Sequence, residues 1–286
     1  MPEPTHPEAL TTIAYRIVNV FAETAFGGNP LAVVEDARGL SDATMQAIAR
    51  QFNLSETSFI LPSSVAAARV RIFTPTYEMP FAGHPTLGTA SVVAERFGDA
   101  FTLELAAGLI PVRRVDSTWR LAANAASHRP MAATPAELAA MLGLPEASLR
   151  GPALWLDCGT EQPMIELHSP ADVAACRIDA ALMARYSSNR SGQAKCYVFA
   201  RDGDDFVARY FWLSGAAAVS EDPGTGSACA NLGRWWELTQ GERPLHARVR
   251  QAIDSGRPSL LNLDVENGQV EVGGQVIAIG GGTLHW

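Results

Sequence analysis

The 286-residue chain lacks several features that whole classes of protein require. No stretch approaches the ~18 consecutive apolar residues that a membrane-spanning helix needs. The opening MPEPTHPEAL has neither the basic nor the apolar region of a signal peptide, so we expect no secretory leader. The cysteines are scattered, with no C-x-x-C pair, which favours reduced, mostly buried thiols in a cytoplasmic protein. They are Cys158, Cys176, Cys196 and Cys229.

Clustered positive charge and metal-binding patterns are also missing. The formal net charge is -8, and no group of Lys and Arg is dense enough for phosphate contacts, so we expect no nucleic-acid partner. The sequence has no H-x-x-x-H pair and no Asp-rich loop at calcium spacing, so we expect no metal. Residues 224–229 come nearest to the dinucleotide pattern G-x-G-x-x-G but lack its last glycine. We therefore expect no dinucleotide cofactor.

Short β-type runs and turn residues dominate what is present. They predict strands over residues 15–20, 31–34, 57–61, 69–73, 197–200 and 206–213. Ser41 is a plausible N-cap for a helix that ends at Phe52, and Thr134 begins a capping box whose helix stops at Gly143. The tail, residues 260–282, reads as short strands separated by Asn-Gly and Gly-Gly turns.

An internal repeat is the most informative feature. A shift of 138 residues superimposes residues 71–90 on residues 209–228 without a gap. The matched pairs include Phe73 with Phe211, Pro85 with Pro223, Gly88 with Gly226, Thr89 with Ser227, and His84 with Asp222. Both copies read as a strand, a loop, a turn with Pro and Gly, and a helix. We therefore predict two lobes with a cleft between them, residues 13–125 and residues 126–286, with the extreme C-terminus packing back on the first lobe.

The repeated turn favours an anion site. In each copy small residues precede a helix that is predicted to begin near Gly88 or Gly226. A helix N-terminus presents unpaired N–H groups and the positive end of the helix dipole. Two facing copies would hold a small acid between them. Ordinary helix capping explains a single such turn, but the repetition favours binding.

Two titratable residues stand close to these turns. Glu56 lies between Leu54 and Phe59, and such apolar neighbours raise the pKa of a carboxyl toward the working pH of a general acid/base. The alternative interpretation, in which this segment is a local cap and Glu56 is exposed, remains open. His84 lies on the predicted anion loop, in AGHPT (82–86), which favours a functional role over a purely structural one.

Five segments of the chain form a recognisable set: FGGNPLAV (26–33), SET (55–57), FTP (73–75), FAGHPT (81–86) and EDPGTGSA (221–228). Together, and in this order, they resemble the PhzF (phenazine-biosynthesis isomerase-like) family. The resemblance implies the α+β fold of diaminopimelate epimerase: two pseudo-symmetric lobes, each a β-barrel-like sheet around a central helix. Two positions depart from the family, because Gly224 stands where Ala is usual and Ala252 where Gly is common.

The resemblance also implies an activity and a set of site residues. The activity is cofactor-free proton transfer on a small carboxylate-bearing substrate. Glu56 matches the general acid/base of the family, and the catalytic set is completed by residues that bind the substrate and assist proton movement. These are His84, Asp222 and Ser227, and further substrate contacts are expected from Asn29, Gly83, Thr225 and Gly226.

Three functions remain open at the level of sequence. Related epimerases and racemases use two thiols, one from each half, but here the 138-residue shift places Cys229 opposite a serine and Glu56 opposite Ala194. A single acid/base favours isomerisation, since it moves a proton on one face of the substrate. The alternatives are a two-base epimerase, with Asp222 or His84 as the second base, and a non-catalytic small-acid binder. A homodimer is a further expectation.

Overall fold

Strands make up most of the fold, as the short β-type runs predict. The computed structural model describes residues 12–214, 218–252 and 256–286. The strands are β1 (Thr12–Val20), β2 (Asn29–Val34), β3 (Glu56–Leu61), β4 (Ala68–Phe73), β5 (Glu78–Met79), β6 (Ala100–Leu105), β7 (Gly108–Val115), β8 (Thr118–Ala122), β9 (Ser127–Pro130), β10 (Leu154–Asp157), β11 (Glu161–Glu166), β12 (Lys195–Asp202), β13 (Asp205–Ser214), β14 (Ala218–Asp222), β15 (Leu245–Gln251), β16 (Ser259–Glu266) and β17 (Gln269–His285). The α-helices are α1 (Asp42–Phe52), α2 (Gly83–Phe97), α3 (Pro135–Leu142), α4 (Pro170–Ala175), α5 (Ala180–Tyr186) and α6 (Gly226–Gln240).

The local signals at the ends of two helices are confirmed. The Ser41 side chain accepts a hydrogen bond from the Thr44 backbone N–H, and α1 ends at the left-handed residue Asn53. The Thr134 capping box is formed on both sides, and Gly143 ends α3 in the left-handed conformation. No helix within the described ranges is long and apolar enough to cross a membrane.

The N-terminal lobe is a closed barrel around one helix. Its strands pair in the order β1-β2-β3-β4-β6-β7-β8-β17, and β17 pairs with β1 to close the ring. Helix α2 lies inside and contacts most of these strands. Gly88 permits this close packing, because a Cβ there would lie 2.6 Å from Leu31 Cδ2 and 2.9 Å from Val20 Cγ2.

The C-terminal lobe repeats this plan. Its strands run in the order β9-β10-β11-β12-β13-β15-β16-β17, and α6 packs against β10, β11, β16 and β17. Gly233 permits close packing of α6, as Gly88 does for α2, since a Cβ there would lie 2.5 Å from Val270 Cγ1. The division of the chain at residues 125 and 126 stays a prediction.

The ungapped register of the internal repeat is wrong at the two helices. That register pairs Gly88 with Gly226, but α2 begins at Gly83 and α6 at Gly226. His84 and Ser227 are therefore the equivalent second residues of the helices, and Asp222 ends the strand before α6. The discrepancy arises in the connections, because β14 is longer than its counterpart β5.

The predicted Gly-Gly turns of the tail are also wrong. Residues 269–285 form one continuous strand that pairs first with β16 and β8, and then with β1. Gly273 and Gly274 lie within this strand because neighbouring atoms leave no room for a side chain, not because the chain turns there. A Cβ at Gly274 would lie 2.4 Å from Phe21 Cδ1, and one at Gly273 would lie 2.7 Å from the Trp119 carbonyl oxygen.

Candidate active site

The N-termini of the two central helices meet between the lobes. A Cβ added to Gly83 would lie 3.5 Å from Gly226 Cα and 3.8 Å from the Ser227 backbone nitrogen. Neither N-cap residue, Ala82 or Thr225, caps its helix with a side-chain hydrogen bond, and neither first turn contains an acid. Both helix N-termini therefore lie at one gap, where no described side chain accepts from their first N–H groups, as an anion site requires.

A cleft opens onto this gap and contains most of the predicted site residues. Its lining includes Glu56, Gly83, His84, Asp222, Thr225, Gly226 and Ser227. Elements of both lobes contribute: β3 and α2 from the first, β14 and α6 from the second. The structure thus brings together all four residues of the predicted catalytic set.

Glu56 is an acid in an apolar, poorly hydrated position. It begins β3, where it pairs with Leu31 of the parallel strand β2, and its side chain is 16% exposed. Burial raises the pKa of the carboxyl to about 8, and the negative charge of Asp222 adds to the shift. At neutral pH the proton-bearing form of Glu56 is therefore the major one.

His84 is held as a neutral base beside Glu56. Burial lowers the pKa of its ring to about 3, although a hydrogen bond to the Pro30 backbone partly opposes the shift. Its Nε2 lies 3.5 Å from Glu56 Oε2, and neither atom has another hydrogen-bond partner within the described residues. Because Nε2 is the unpartnered nitrogen, we assign the proton of the ring to Nδ1, which bonds to Pro30. Nε2 then has a free lone pair that can accept a hydrogen bond from the protonated Glu56 carboxyl.

Asp222 is fixed by two donors. Its Oδ1 accepts a hydrogen bond from Asn29 Nδ2 at 2.9 Å, and its Oδ2 accepts one from Thr225 Oγ1. Burial raises the pKa of Asp222 to about 6, and the two hydrogen bonds oppose that shift. Asn29 itself is fully buried and also donates to the Gly224 carbonyl at 3.0 Å. The structure therefore places Asn29 behind Asp222, outside the wall of the cleft.

Ser227 is held by a residue that sequence reasoning missed. Gln162 Nε2 donates to Ser227 Oγ at 2.9 Å, and Asn231 Nδ2 donates to Gln162 Oε1 at 2.8 Å. A sequence signal was present: Gln-Pro-Met at residues 162–164 repeats the amide-Pro-apolar order of Asn-Pro-Leu at residues 29–31. Both amides stand at strands of the same kind, because β2 pairs in parallel with β3 and β11 with β12.

Lys195 was missed as well, although it lines the cleft. It begins β12 and is 8% exposed. The sequence did contain a signal for it. Lys195 is the one lysine of the whole sequence, and the other residues of the Lys and Arg group are all arginines.

The thiols do not line the cleft. All four cysteines are buried and free. Burial raises the pKa of Cys158 to about 11 and that of Cys176 to about 12, so these thiols stay protonated and poorly nucleophilic. No group of His, Cys, Asp and Glu in the described ranges is arranged to hold a metal ion.

The two departures from the family pattern have local explanations. A Cβ at Gly224 would lie 2.9 Å from Ser259 Oγ and 3.0 Å from Phe21 Cδ2, so this chain has little room for the usual Ala. Ala252 adopts φ 55°, the left-handed region in which glycine is favoured.

Comparison with known proteins gives the family of the chain. Residues 18–283 match the family model described as PhzC-PhzF, phenazine biosynthesis-like protein. An uncharacterized isomerase of Pasteurella multocida is 41% identical, with 96% of this chain and 95% of that protein aligned. The trans-2,3-dihydro-3-hydroxyanthranilate isomerase of Pseudomonas aeruginosa is 33% identical, with 95% and 99% aligned. The solved structure of a predicted epimerase from Pseudomonas aeruginosa is 28% identical with a TM-score of 0.75, covering 95% of this chain and 99% of that one.

The chain is an enzyme of the isomerase class. It belongs to the PhzC-PhzF family of phenazine biosynthesis-like proteins. The expected α+β class is confirmed by the closed eight-stranded barrel around a helix and by the epimerase-type structural neighbour.

Proposed function

We propose that this enzyme moves a proton between two positions of a small carboxylate-bearing substrate, with Glu56 as the single general acid/base. One observation carries the proposal: a carboxyl of pKa about 8 faces a neutral histidine at 3.5 Å, beside two uncapped helix N-termini. A catalytic acid/base is most effective when its pKa lies near the working pH, and burial supplies that match here.

The helix ends would bind the substrate carboxylate. The backbone N–H groups of Gly83 and Gly226 are preorganised donors, and they remain in place while negative charge grows on the substrate. Asp222 stays close but is occupied by Asn29 and Thr225, which limits its freedom to exchange protons.

The proton would travel through Glu56 alone. In its ionised form Glu56 takes a proton from an acidified C–H, and the electron pair spreads toward the bound carboxylate. The resulting carboxyl keeps the proton, is stabilised by a hydrogen bond to His84 Nε2, and then returns the proton to another carbon of the same conjugated system. The number of protons on the enzyme is the same before and after, so the reaction needs no further acid or base.

The direct test follows solvent deuterium into the substrate. Wild-type enzyme in deuterium oxide is incubated with pooled unsaturated amino and hydroxy acids, including trans-2,3-dihydro-3-hydroxyanthranilate, and the products are analysed by mass spectrometry. Glu56→Gln keeps the shape of the side chain but cannot carry a proton, so exchange should fall by about 10²–10⁴. Binding of the carboxylate should survive, as measured by calorimetry. Near-normal exchange in Glu56→Gln would refute the role of Glu56.

A two-base epimerase is the second candidate, because Asp222 has a pKa of about 6 and adds its charge to the environment of Glu56. Loss of chirality at the α-carbon together with deuterium exchange would identify it. Isomerisation with retention of the other stereocentres would favour the single-base reaction.

A further inference from the structure

The side of the cleft that the C-terminal lobe forms contains a basic residue, Lys195, which has no role in the proposed reaction. Lys195 stands at the start of β12, is 8% exposed and lines the cleft with Gln193 and Tyr210. Its Nζ donates a hydrogen bond to Gln193 Oε1 at 2.9 Å. Among the residues that the structure describes, no carboxylate forms an ion pair with it.

The buried Lys195 ammonium has no carboxylate partner among the described residues. Burial lowers the pKa of Lys195 to about 8, and the charge of Asp157 offsets only part of that shift. The group is still mostly protonated at neutral pH, so the protein holds a buried cation with a single amide oxygen as its acceptor. Buried charges are normally paired, because desolvation is costly. An anion that enters the cleft would supply the missing partner.

Other cations of this chain show the contrast. Arg209 pairs with Glu221 at 2.7 Å, and Arg71 pairs with Glu78 at 2.5 Å, each within the protein. Apart from Lys195, all residues of the Lys and Arg group are arginines. A lysine gives a compact point charge that can approach one carboxylate group from a narrow wall, which a planar guanidinium cannot do as easily.

Lys195 lines the same cleft as the predicted anion site at the two helix N-termini. The parallel pair β11 and β12 begins with Met164 opposite Tyr197. Gln162 and Lys195 each stand two positions before these residues, on the same face of their strands, and both line the cleft. Gln162 in turn bonds to Ser227 at the N-terminus of α6. The ammonium and the N-terminus of α6 therefore line one cleft, an arrangement that suits two acidic groups of one small molecule.

We propose that Lys195 Nζ binds a second carboxylate of the substrate while the helix N-termini bind the first, so that the enzyme acts on a small dicarboxylate. This inference rests on the proposed function, since it names the class of acid that the same cleft takes. The reacting carbon would lie between the two carboxylates, within reach of Glu56.

Two unreactive probes differ in one charge and test the proposal without catalysis. Glutarate has two carboxylates, and glutaramate replaces one of them by an amide of the same size. Calorimetry on the wild-type enzyme should show glutarate binding about 10- to 100-fold more tightly, the value of one buried charge-assisted hydrogen bond. Equal affinities, or no binding of either acid, would overturn the proposal.

Variants of Lys195 locate the effect. Lys195→Met keeps the length of the side chain and removes the charge, so the preference for glutarate should fall below about threefold. Lys195→Arg keeps the charge and should retain part of the preference. Thermal unfolding shows whether each variant is folded. A folded Lys195→Met enzyme that still prefers glutarate as strongly as the wild type would contradict the proposal.

The same measurement in Glu56→Gln separates this inference from the proposed reaction. Glutarate binding does not need a proton carrier, so Glu56→Gln should keep the full preference. If exchange chemistry fails but the preference depends on Lys195, the second-carboxylate site stands alone. If exchange depends on Glu56 but the preference is absent, the isomerase stands and the dicarboxylate assignment is wrong.

Labelling gives an independent readout, because Lys195 is the one lysine of the chain. Trinitrobenzenesulfonate modifies unprotonated amines, and peptide mapping separates Lys195 from the N-terminal amine. Glutarate should protect Lys195 from labelling, and glutaramate should not. Equal protection by both acids would count against an ion pair at Nζ.

Discussion

At the scale of single residues, the cost of keeping Glu56 buried should be visible in the stability of the protein. The pKa of this carboxyl is raised from 4.5 to about 8, so the unfolded chain releases its proton at a lower pH than the folded one. The free energy of unfolding should therefore fall as the pH rises from about 4.5 to about 8, and stay level beyond that.

Glu56→Gln should remove this dependence. The variant has no group to ionise at this position, so above pH ~8 it should be more stable than the wild type by on the order of 5 kcal/mol. Near pH ~4 the two proteins should differ little, because both side chains are then neutral. Urea unfolding at both pH values measures the difference. Parallel stability curves over this range would mean that Glu56 titrates normally.

The site residues were predictable from the sequence to different degrees. Glu56 and His84 lie in motifs with apolar or glycine-rich neighbours, and these neighbours set their burial directly. Asn29 was predicted as a substrate contact, but tertiary packing turns it toward Asp222. Lys195 begins an ordinary-looking strand, and only the fold brings that strand to the cleft.

At the scale of elements, the two helix N-termini act through their backbone, and this can be tested without removing a charged group. Gly83→Ala adds a methyl group 3.5 Å from Gly226 Cα and 3.8 Å from the Ser227 nitrogen, both ordinary contact distances. The fold should tolerate it.

The Gly83→Ala substitution should, by contrast, weaken carboxylate binding. The methyl group covers the N–H groups that the anion needs, so affinity should fall about 10- to 100-fold, the range for one hydrogen bond to a charged group. Calorimetry with glutarate measures the loss, and thermal unfolding checks the fold. Unchanged affinity in a folded Gly83→Ala protein would argue against the helix ends as the anion site.

The continuity of β17 makes a second prediction at this scale. Gly274→Ala forces a methyl group to within 2.4 Å of Phe21 Cδ1, so it should destabilise the protein by about 1–3 kcal/mol. Gly280→Ala in the same strand is the matched control, because nothing lies within 4 Å of its Cβ position. Chemical denaturation of both variants gives the comparison. Equal stability would mean that the strand can shift away from Phe21.

Two errors of sequence reading have the same origin at this scale. Glycine marks turns and close packing alike, and the sequence does not distinguish them at Gly273 and Gly274. In the internal repeat, an ungapped shift could not reveal that β14 is longer than β5, so the helices were matched out of register. Local capping signals such as Ser41 and Thr134 were reliable because they involve only neighbouring residues.

At the scale of the whole molecule, duplication explains the site. Each lobe surrounds one helix, and the two helix ends meet where the lobes meet, so neither half alone contains the gap between the helix N-termini. The chain then differentiates its halves, with His84 at one helix end and Ser227 at the other. The general architecture followed from the repeat, whereas the contacts between the halves required the fold. The homodimer stays a prediction.

The protonation of Glu56 inside the assembled cleft is the most direct test of the proposed reaction. Infrared difference spectra of the carboxyl C=O stretch, wild type minus Glu56→Gln, isolate this one group as the pH is changed. The signal should disappear with a midpoint near 8, and Asp222→Asn should move the midpoint to lower pH by removing a negative charge. A midpoint near 4.5 would show an ordinary ionised carboxylate and contradict the role of Glu56 as proton carrier.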